Sequence, residues 1–352
     1  MSDEWWPELG PKWGPTAARK SLLPVIDVHA HVEVPEAAAV AAPLFRPEHD
    51  YRTVYQSEES TRYNRELRAT QVEKFTNPEA RMADMDLQGV DLQVLAIAPP
   101  QYYYWLDEPT GAKVTAMQND RIAEIVAQYP KRFVGVANLP MDHPQAAVAE
   151  MVRAHRDLGF NGFEINADIN GGELDDRRLD PVWERAEELD LLVILHPHGF
   201  TDARRMGDYY LANVICMPLA STLAVSRMIL GGVFARFPEL KTLVVHGGGY
   251  LPFYSARTDH AYRVRPELRH HIDRLPSEYL HLLYFDTTVF DPRMVEFLVG
   301  EYGADHVLLG SDYPFDMGPT DPFGFVSQAR LTESERDLVV GGNAARLLKI
   351  PR

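Results

Sequence analysis

Two histidines, His29 and His31, end the stretch Val25-Ile26-Asp27-Val28-His29-Ala30-His31. In an extended strand, residues i and i+2 share one side. Both imidazoles therefore face a common point, which is the start of a metal site. Further chemistry-bearing side chains stand at the ends of other apolar runs. His196 follows Leu191-Leu192-Val193-Ile194-Leu195 and is itself followed by Pro197 and His198. His246 follows Leu243-Val244-Val245, and Asp312 closes Val307-Leu308-Leu309-Gly310-Ser311. Each of them alone reads equally well as a buried, hydrogen-bonded core residue. As a set, histidines and one carboxylate at successive strand ends read as a metal centre.

Those runs belong to a regular alternation. Strand-like segments at 90–97, 133–139, 162–166, 191–196, 243–246, 282–287 and 307–312 join the first to make eight, each followed by helical sequence. Helices are predicted at 78–88, 113–128, 144–157, 179–189, 218–236, 291–302 and 332–347, with more helical material up to about residue 270. Repeated strand–helix units imply a parallel sheet with right-handed crossovers. Eight such units with near-continuous apolar strands favour an α/β fold of the closed (β/α)8 TIM-barrel type, whose site lies at the strands' C-terminal ends. The chain reads as one domain over 1–352, with an N-terminal arm at 1–23 and an inserted segment at 32–77 near the site. The arm holds Trp5, Trp6 and Trp13 and is expected to pack on its own subunit or on a partner. The insertion has no repeating strand signal, and a loop of that length is usually functional or a small subdomain. No glycine-rich dinucleotide or phosphate loop follows the first strand. Gly247-Gly248-Gly249 reads as a tight turn that brings backbone close to the pocket.

Composition narrows the classes. The chain is 45% hydrophobic and 24% charged, with a formal net charge of -16. That charge argues against nucleic acid, yet a few local arginines suffice for a small anionic substrate. Cys216 is the single cysteine, so no intrachain disulfide forms and a reducing compartment is expected. The first residues show no signal-peptide pattern, and no run of about 18 apolar residues marks a membrane span. The expectation is a cytoplasmic protein with no membrane partner.

The strings IDVHAH, DMDLQGVDLQV, LVILHP, VHGGGYLPF, LPSEY and LLGSDYPF are distributed from residue 25 to the C-terminus. They resemble the amidohydrolase superfamily, and within it the non-oxidative decarboxylase branch around aminocarboxymuconate semialdehyde decarboxylase. The resemblance implies that His29, His31, His196 and Asp312 bind one divalent metal per chain, zinc ahead of manganese. It makes His246 a base beside the metal, with Asp312 sharing in proton movement. Strand four lacks the lysine that bridges binuclear relatives, which supports a single ion. Glu164 on that strand reads as a buried hydrogen-bonded carboxyl rather than a replacement bridge.

The same resemblance points to two arginines for substrate carboxylates. One is Arg68, with Arg65 and Arg62 as alternatives. The other is Arg257, which would enter the neighbouring subunit's site and make the active unit a homodimer or a higher oligomer. Where the branch carries tryptophan after His-Pro, this chain has His198, a candidate contact for a substrate hydroxyl. Tyr102, Tyr103, Tyr104 and Trp105, with Tyr209 and Tyr210, line an aromatic pocket or pack beneath a loop. The implied activity is metal-dependent, non-oxidative loss of carbon dioxide from an aromatic or ring-opened unsaturated carboxylic acid. A hydrolase or hydratase acting on a lactone, amide or enol acid is the alternative on the same scaffold.

Overall fold

The computed structural model describes residues 23–49 and 54–351. The tryptophan-rich arm expected at 1–23 therefore lies, but for Leu23, outside the described residues. Eight strands alternate with helices: β1 Ile26–Val32, β2 Leu92–Ile97, β3 Phe133–Gly135, β4 Gly162–Ile165, β5 Leu192–Leu195, β6 Thr242–Val244, β7 Leu283–Asp286 and β8 Val307–Leu308. Neighbours pair in parallel, β1 to β3 in one arc and β4 to β8 in the other. Two seams join the arcs. Ala137 N–H donates to the Gly162 carbonyl at 2.9 Å, and Val28 N–H donates to that of Leu309 at 3.0 Å.

Side chains alternate between two buried layers. Ile26 and Val28, Val94 and Ala96, Leu192 and Ile194, Leu243 and Val245, and Leu308 form the inner cluster. Ala344, Leu347 and Leu348 from the last helix close its lower end. The intervening residues, such as Leu95, Phe163, Val193, Leu195 and Val244, pack outward against helix residues including Val182 and Trp183. Such strands are buried on both faces, which is why each reads as a continuous apolar run.

The simple alternation read from the first strand is broken by a β-bulge. Asp27 pairs with Gln93, but the next matched pair is Ala30 with Leu95, so β1 carries one extra residue. Below the bulge Ile26 and Val28 face the interior. Asp27 faces the other way, where it accepts hydrogen bonds from Gln93 at 2.9 Å and the Ser311 hydroxyl at 2.6 Å. Arg81, fully buried in helix Pro78–Gln88, grips Gln93 in turn at 2.6 Å. Above the bulge the phase has shifted, and His29 and His31 join the interior.

Beyond Val32 the described residues of the segment 32–77 contain no strand, in keeping with the absence of a strand signal, and are largely helical. The segment holds helix Pro35–Ala41 and a helix of 19 residues, Glu58–Thr76, whose N-terminus is capped by Ser57. Only Phe75 of the longer helix is fully buried, so no apolar stripe betrayed it. Gln71 ties it to the carbonyl of Pro314 at 2.8 Å, above the strand ends. The helix predicted at 332–347 is interrupted by a wider turn at Leu338–Gly342. There a side chain on Gly341 would meet the Pro24 carbonyl at 1.9 Å, so the chain must pass close to the first strand. Among the described residues one helical stretch, Leu211–Leu230, is long and apolar enough by length and composition to cross a membrane, although the sequence shows no run of purely apolar residues of that length. It packs Ala220, Ala224, Val225 and Met228 into the outer layer.

Candidate active site

At the upper end of the barrel, His29, His31, His196 and Asp312 bring one ligand atom each within 4.8 Å of one another. Asp312 Oδ1 lies 3.1 Å from His31 Nε2, 3.3 Å from His29 Nε2 and 3.6 Å from His196 Nε2. His29 Nε2 and both His196 ring nitrogens are buried without a hydrogen-bond partner. Unpaired imidazole nitrogens in a dry site are costly. Their convergence on one carboxylate oxygen fits a divalent cation, and the donor set of three imidazoles and a carboxylate suits a first-row metal. His246 stands beside this group, with Nε2 at 3.5 Å from the other oxygen, Asp312 Oδ2.

Burial and charge act on the cluster together. Burial alone would neutralise Asp312, but His29, His196 and His246 around it outweigh that and hold its carboxyl well below the usual carboxylate range. Burial likewise opposes charge on His29, yet Asp312 and Asp286 raise its affinity for a proton well above that of a free imidazole. Burial pushes His31 down to about 4 and His196 well below the ordinary value. The site therefore combines an ionised carboxylate with neutral His31 and His196, while His29 is held toward its protonated form and must release that proton to a cation. Burial pushes Glu164 up to about 8. Its Oε1 accepts from the Tyr102 hydroxyl at 2.8 Å and lies 3.7 Å from His31 Nδ1.

Backbone strain is concentrated here. His246 and Asp312 both adopt left-handed conformations, with φ of 55° and 58°. Side chains seldom tolerate that region, and such outliers cluster at functional sites. The glycine run makes the His246 turn practicable. Gly247 has φ 60°, and a side chain on it would lie 2.2 Å from Val289. Its N–H donates to Asp286 Oδ1 at 2.8 Å. Gly310 is close-packed as well, since an added Cβ would sit 2.9 Å from both Asp286 Oδ2 and His29 Cβ.

Above the cluster opens a cavity of roughly 700 Å³. A family model described as amidohydrolase matches residues 26–350. The chain belongs to the amidohydrolase family. A 2-amino-3-carboxymuconate-6-semialdehyde decarboxylase of Dictyostelium discoideum is 35% identical over 274 residues, 77% of this chain and 76% of that protein. A gamma-resorcylate decarboxylase of Polaromonas is 28% identical over 291 residues, 78% of this chain and 88% of the relative. Among solved structures, 5-carboxyvanillate decarboxylase from Sphingomonas paucimobilis superposes with a TM-score of 0.83 at 27% identity, covering 94% of this chain and all of that one (100%).

Within this amidohydrolase barrel, Arg68, His198, His196, His246 and Asp312 all line the cavity. Arg65 and Arg62, on the same helix as Arg68, are exposed and do not line it. Arg257 is exposed on helix Leu251–Val264 and stands outside its own subunit's cavity. The aromatic segment after β2 is mostly packing. Tyr102 and Tyr104 are buried, stacked at 5.6 Å, and lie behind Glu164 and His198 rather than on the cavity wall. Tyr209 is 89% exposed, whereas Tyr210 lines the cavity and donates to Asp316 at 3.2 Å.

Asp286 and Glu33 were passed over in the sequence. Asp286 ends β7 and holds His29 Nδ1 at 2.7 Å, the carboxylate–histidine pairing that orients a metal ligand. The signal was available, because Asp286 occupies the same strand-end position as His196. Glu33 lies two residues beyond His31 and pairs directly with Arg68 in the cavity lining. Nothing in its local sequence distinguishes it from a solvated glutamate.

Proposed function

We propose that this chain is a metal-dependent, non-oxidative decarboxylase, a carboxy-lyase acting on an aromatic or ring-opened unsaturated carboxylic acid. The convergence of His29, His31, His196 and Asp312 at the floor of an open cavity, with His246 at its edge, carries the reading. The decarboxylase relatives support it. In this reading the four side chains hold one divalent cation, zinc by donor set, with manganese as the other candidate. When bound, the cation supplies a Lewis acid that stabilises negative charge on substrate oxygens.

The chain's own residues do the rest. Decarboxylation breaks the bond between a carbon and its carboxylate, and that carbon must gain a proton. In this reading His246 delivers it. Its imidazole faces the cavity, with Nε2 3.5 Å from Asp312 Oδ2. Arg68 directs its guanidinium at a substrate oxygen, and His198 at the wall contacts a ring hydroxyl. The surrounding apolar side chains exclude water and strengthen these interactions. A reducing, cytoplasmic setting suits Cys216, a buried free thiol.

Arg257 acts across a homodimer in this reading. Mixing His246→Ala with Arg257→Ala chains is then expected to restore activity, because one site of each hybrid regains both groups. No recovery in confirmed hybrids would rule out the shared site. Asp286→Asn removes the acceptor that fixes the His29 ring. It is expected to weaken metal binding by about 10- to 100-fold in a chelator competition. Unchanged affinity would deny Asp286 that role.

The deciding assay is carbon dioxide release from ring carboxylates and carboxymuconate-type acids by metal-loaded protein. A decarboxylase releases it without net consumption of water. Turnover of lactones or amides with no carbon dioxide would overturn the reading in favour of the hydrolytic alternative.

A further inference from the structure

Arg68 is held on two sides by its own subunit. One terminal nitrogen, Nη2, pairs with Glu33 Oε2, and the guanidinium lies over the Phe75 ring, 4.2 Å from its centroid. Arg68 and Phe75 stand seven residues apart on one helix, so they share a face. Glu33 directly follows β1, and its backbone N–H donates to the Phe75 carbonyl at 3.0 Å. The two residues that hold the guanidinium are thus tied to each other. Phe75 also leads to the metal cluster, since its ring meets Phe315 at 5.2 Å and Phe315 meets His31 at 5.3 Å. A chain of rings therefore sets where the guanidinium stands relative to the ligands. The other terminal nitrogen, Nη1, is withdrawn from water and has no hydrogen-bond partner among the described residues. A buried donor left unpaired is costly, and a ligand oxygen would satisfy it. None of these contacts involves helix Leu251–Val264, which carries Arg257.

A carboxylate beside a guanidinium has two opposite effects. It weakens the attraction for an anion, and it removes rotamer freedom from a long side chain. An unbraced arginine that must order on binding costs about two- to tenfold in affinity. The side chains of Arg68 and Glu33 are 36% and 17% exposed, so water screens the charge of the pair. Ordering therefore outweighs neutralisation.

We propose that Glu33 is a positioning residue. With Phe75 beneath the plane it clamps Arg68 by Nη2 and presents Nη1 to a substrate oxygen. This inference rests on the decarboxylase reading, in which Arg68 binds that oxygen.

The test compares metal-loaded wild type, Glu33→Ala, Glu33→Gln, Arg68→Ala and the double alanine variant with 2,6-dihydroxybenzoate as the probe. Glu33→Ala is expected to raise KM about tenfold and to keep kcat within about threefold, because bracing serves ground and transition states alike. The amide carbonyl of Glu33→Gln still accepts from Nη2, so its KM is expected within about threefold of wild type. In the Arg68→Ala background, Glu33→Ala is expected to change KM by less than about twofold, since nothing remains to brace. Bound metal is expected to stay the same in all five proteins. An equal rise in KM in both backgrounds overturns the inference. So does a fall in KM, which would make Glu33 a competitor of the substrate, and so does loss of metal in Glu33→Ala. If no ring acid releases carbon dioxide, the decarboxylase reading fails and the clamp is decided separately. Calorimetric dissociation constants for 2,6-dihydroxybenzoate then replace KM, with the same expectations. Labelling of Arg68 by phenylglyoxal, followed by mass spectrometry, decides it without a bound acid. Labelling is expected to run at least about threefold faster in Glu33→Ala than in wild type, and equal rates overturn the clamp.

Discussion

His31→Ala is expected to lower kcat/KM by more than about a thousandfold and to reduce bound metal from about one ion per chain to a small fraction of that. The reason lies in the crowding around one oxygen. His31 Nε2 is 3.1 Å from Asp312 Oδ1, nearer than either of the other two imidazoles. Its removal leaves a gap in the donor set that the close-packed floor cannot fill. His31 is completely buried, so the variant also loses packing, and a lower melting temperature is expected beside the lost metal. Elemental analysis of folded protein and a rate measurement with excess metal separate the two effects. Full metal content with near-normal rate would remove His31 from the ligand set, and two ions per wild-type chain would refute a single-metal site.

His246→Ala is expected to behave differently. Its rate should fall by about 10²- to 10⁴-fold, the range for loss of a positioned proton donor, while metal content stays near one ion per chain. The contrast follows from geometry. His246 Nε2 lies near Asp312 Oδ2, whereas the other three imidazoles gather at Oδ1. His246 also sits on a strained turn outside the strand, with φ 55°. Metal loss equal to that of His31→Ala would make His246 a ligand. An unchanged rate would end its role as proton donor.

The barrel was legible because eight buried strands leave eight apolar runs, and parallel strands must be linked by helices. The metal cluster was legible for a related reason. Chemistry concentrates at strand ends in this architecture, so His196, His246 and Asp312 could be located before any contact was known. Other features depend on long-range contact that no local pattern records. The helix Glu58–Thr76 forms the cavity wall with almost no apolar stripe, because it lies on the barrel mouth and is wetted on most sides. Glu33 and Arg68 are 35 residues apart and meet only after that helix folds over β1. The aromatic run from Tyr102 to Trp105 pointed towards the pocket by position. It packs behind the site because the Tyr102 hydroxyl is bound to Glu164, buried on β4. The strand alternation that first drew attention to His29 and His31 led to two side chains that do converge, while missing the extra residue beneath them.

That extra residue makes chain length in β1 as decisive as residue identity. Substitutions at His29 or His31 alter donors one at a time. Were plain alternation to run through the bulge at unchanged length, Ala30 and Val32 would face inward in place of the two imidazoles. Ile26 and Val28 below would keep their places in the core. One strand thus holds two reading frames, the lower for the hydrophobic core and the upper for the ligands. Straightening the strand at that point, with every residue kept, would turn the ligands out of the site and leave the core its foundation.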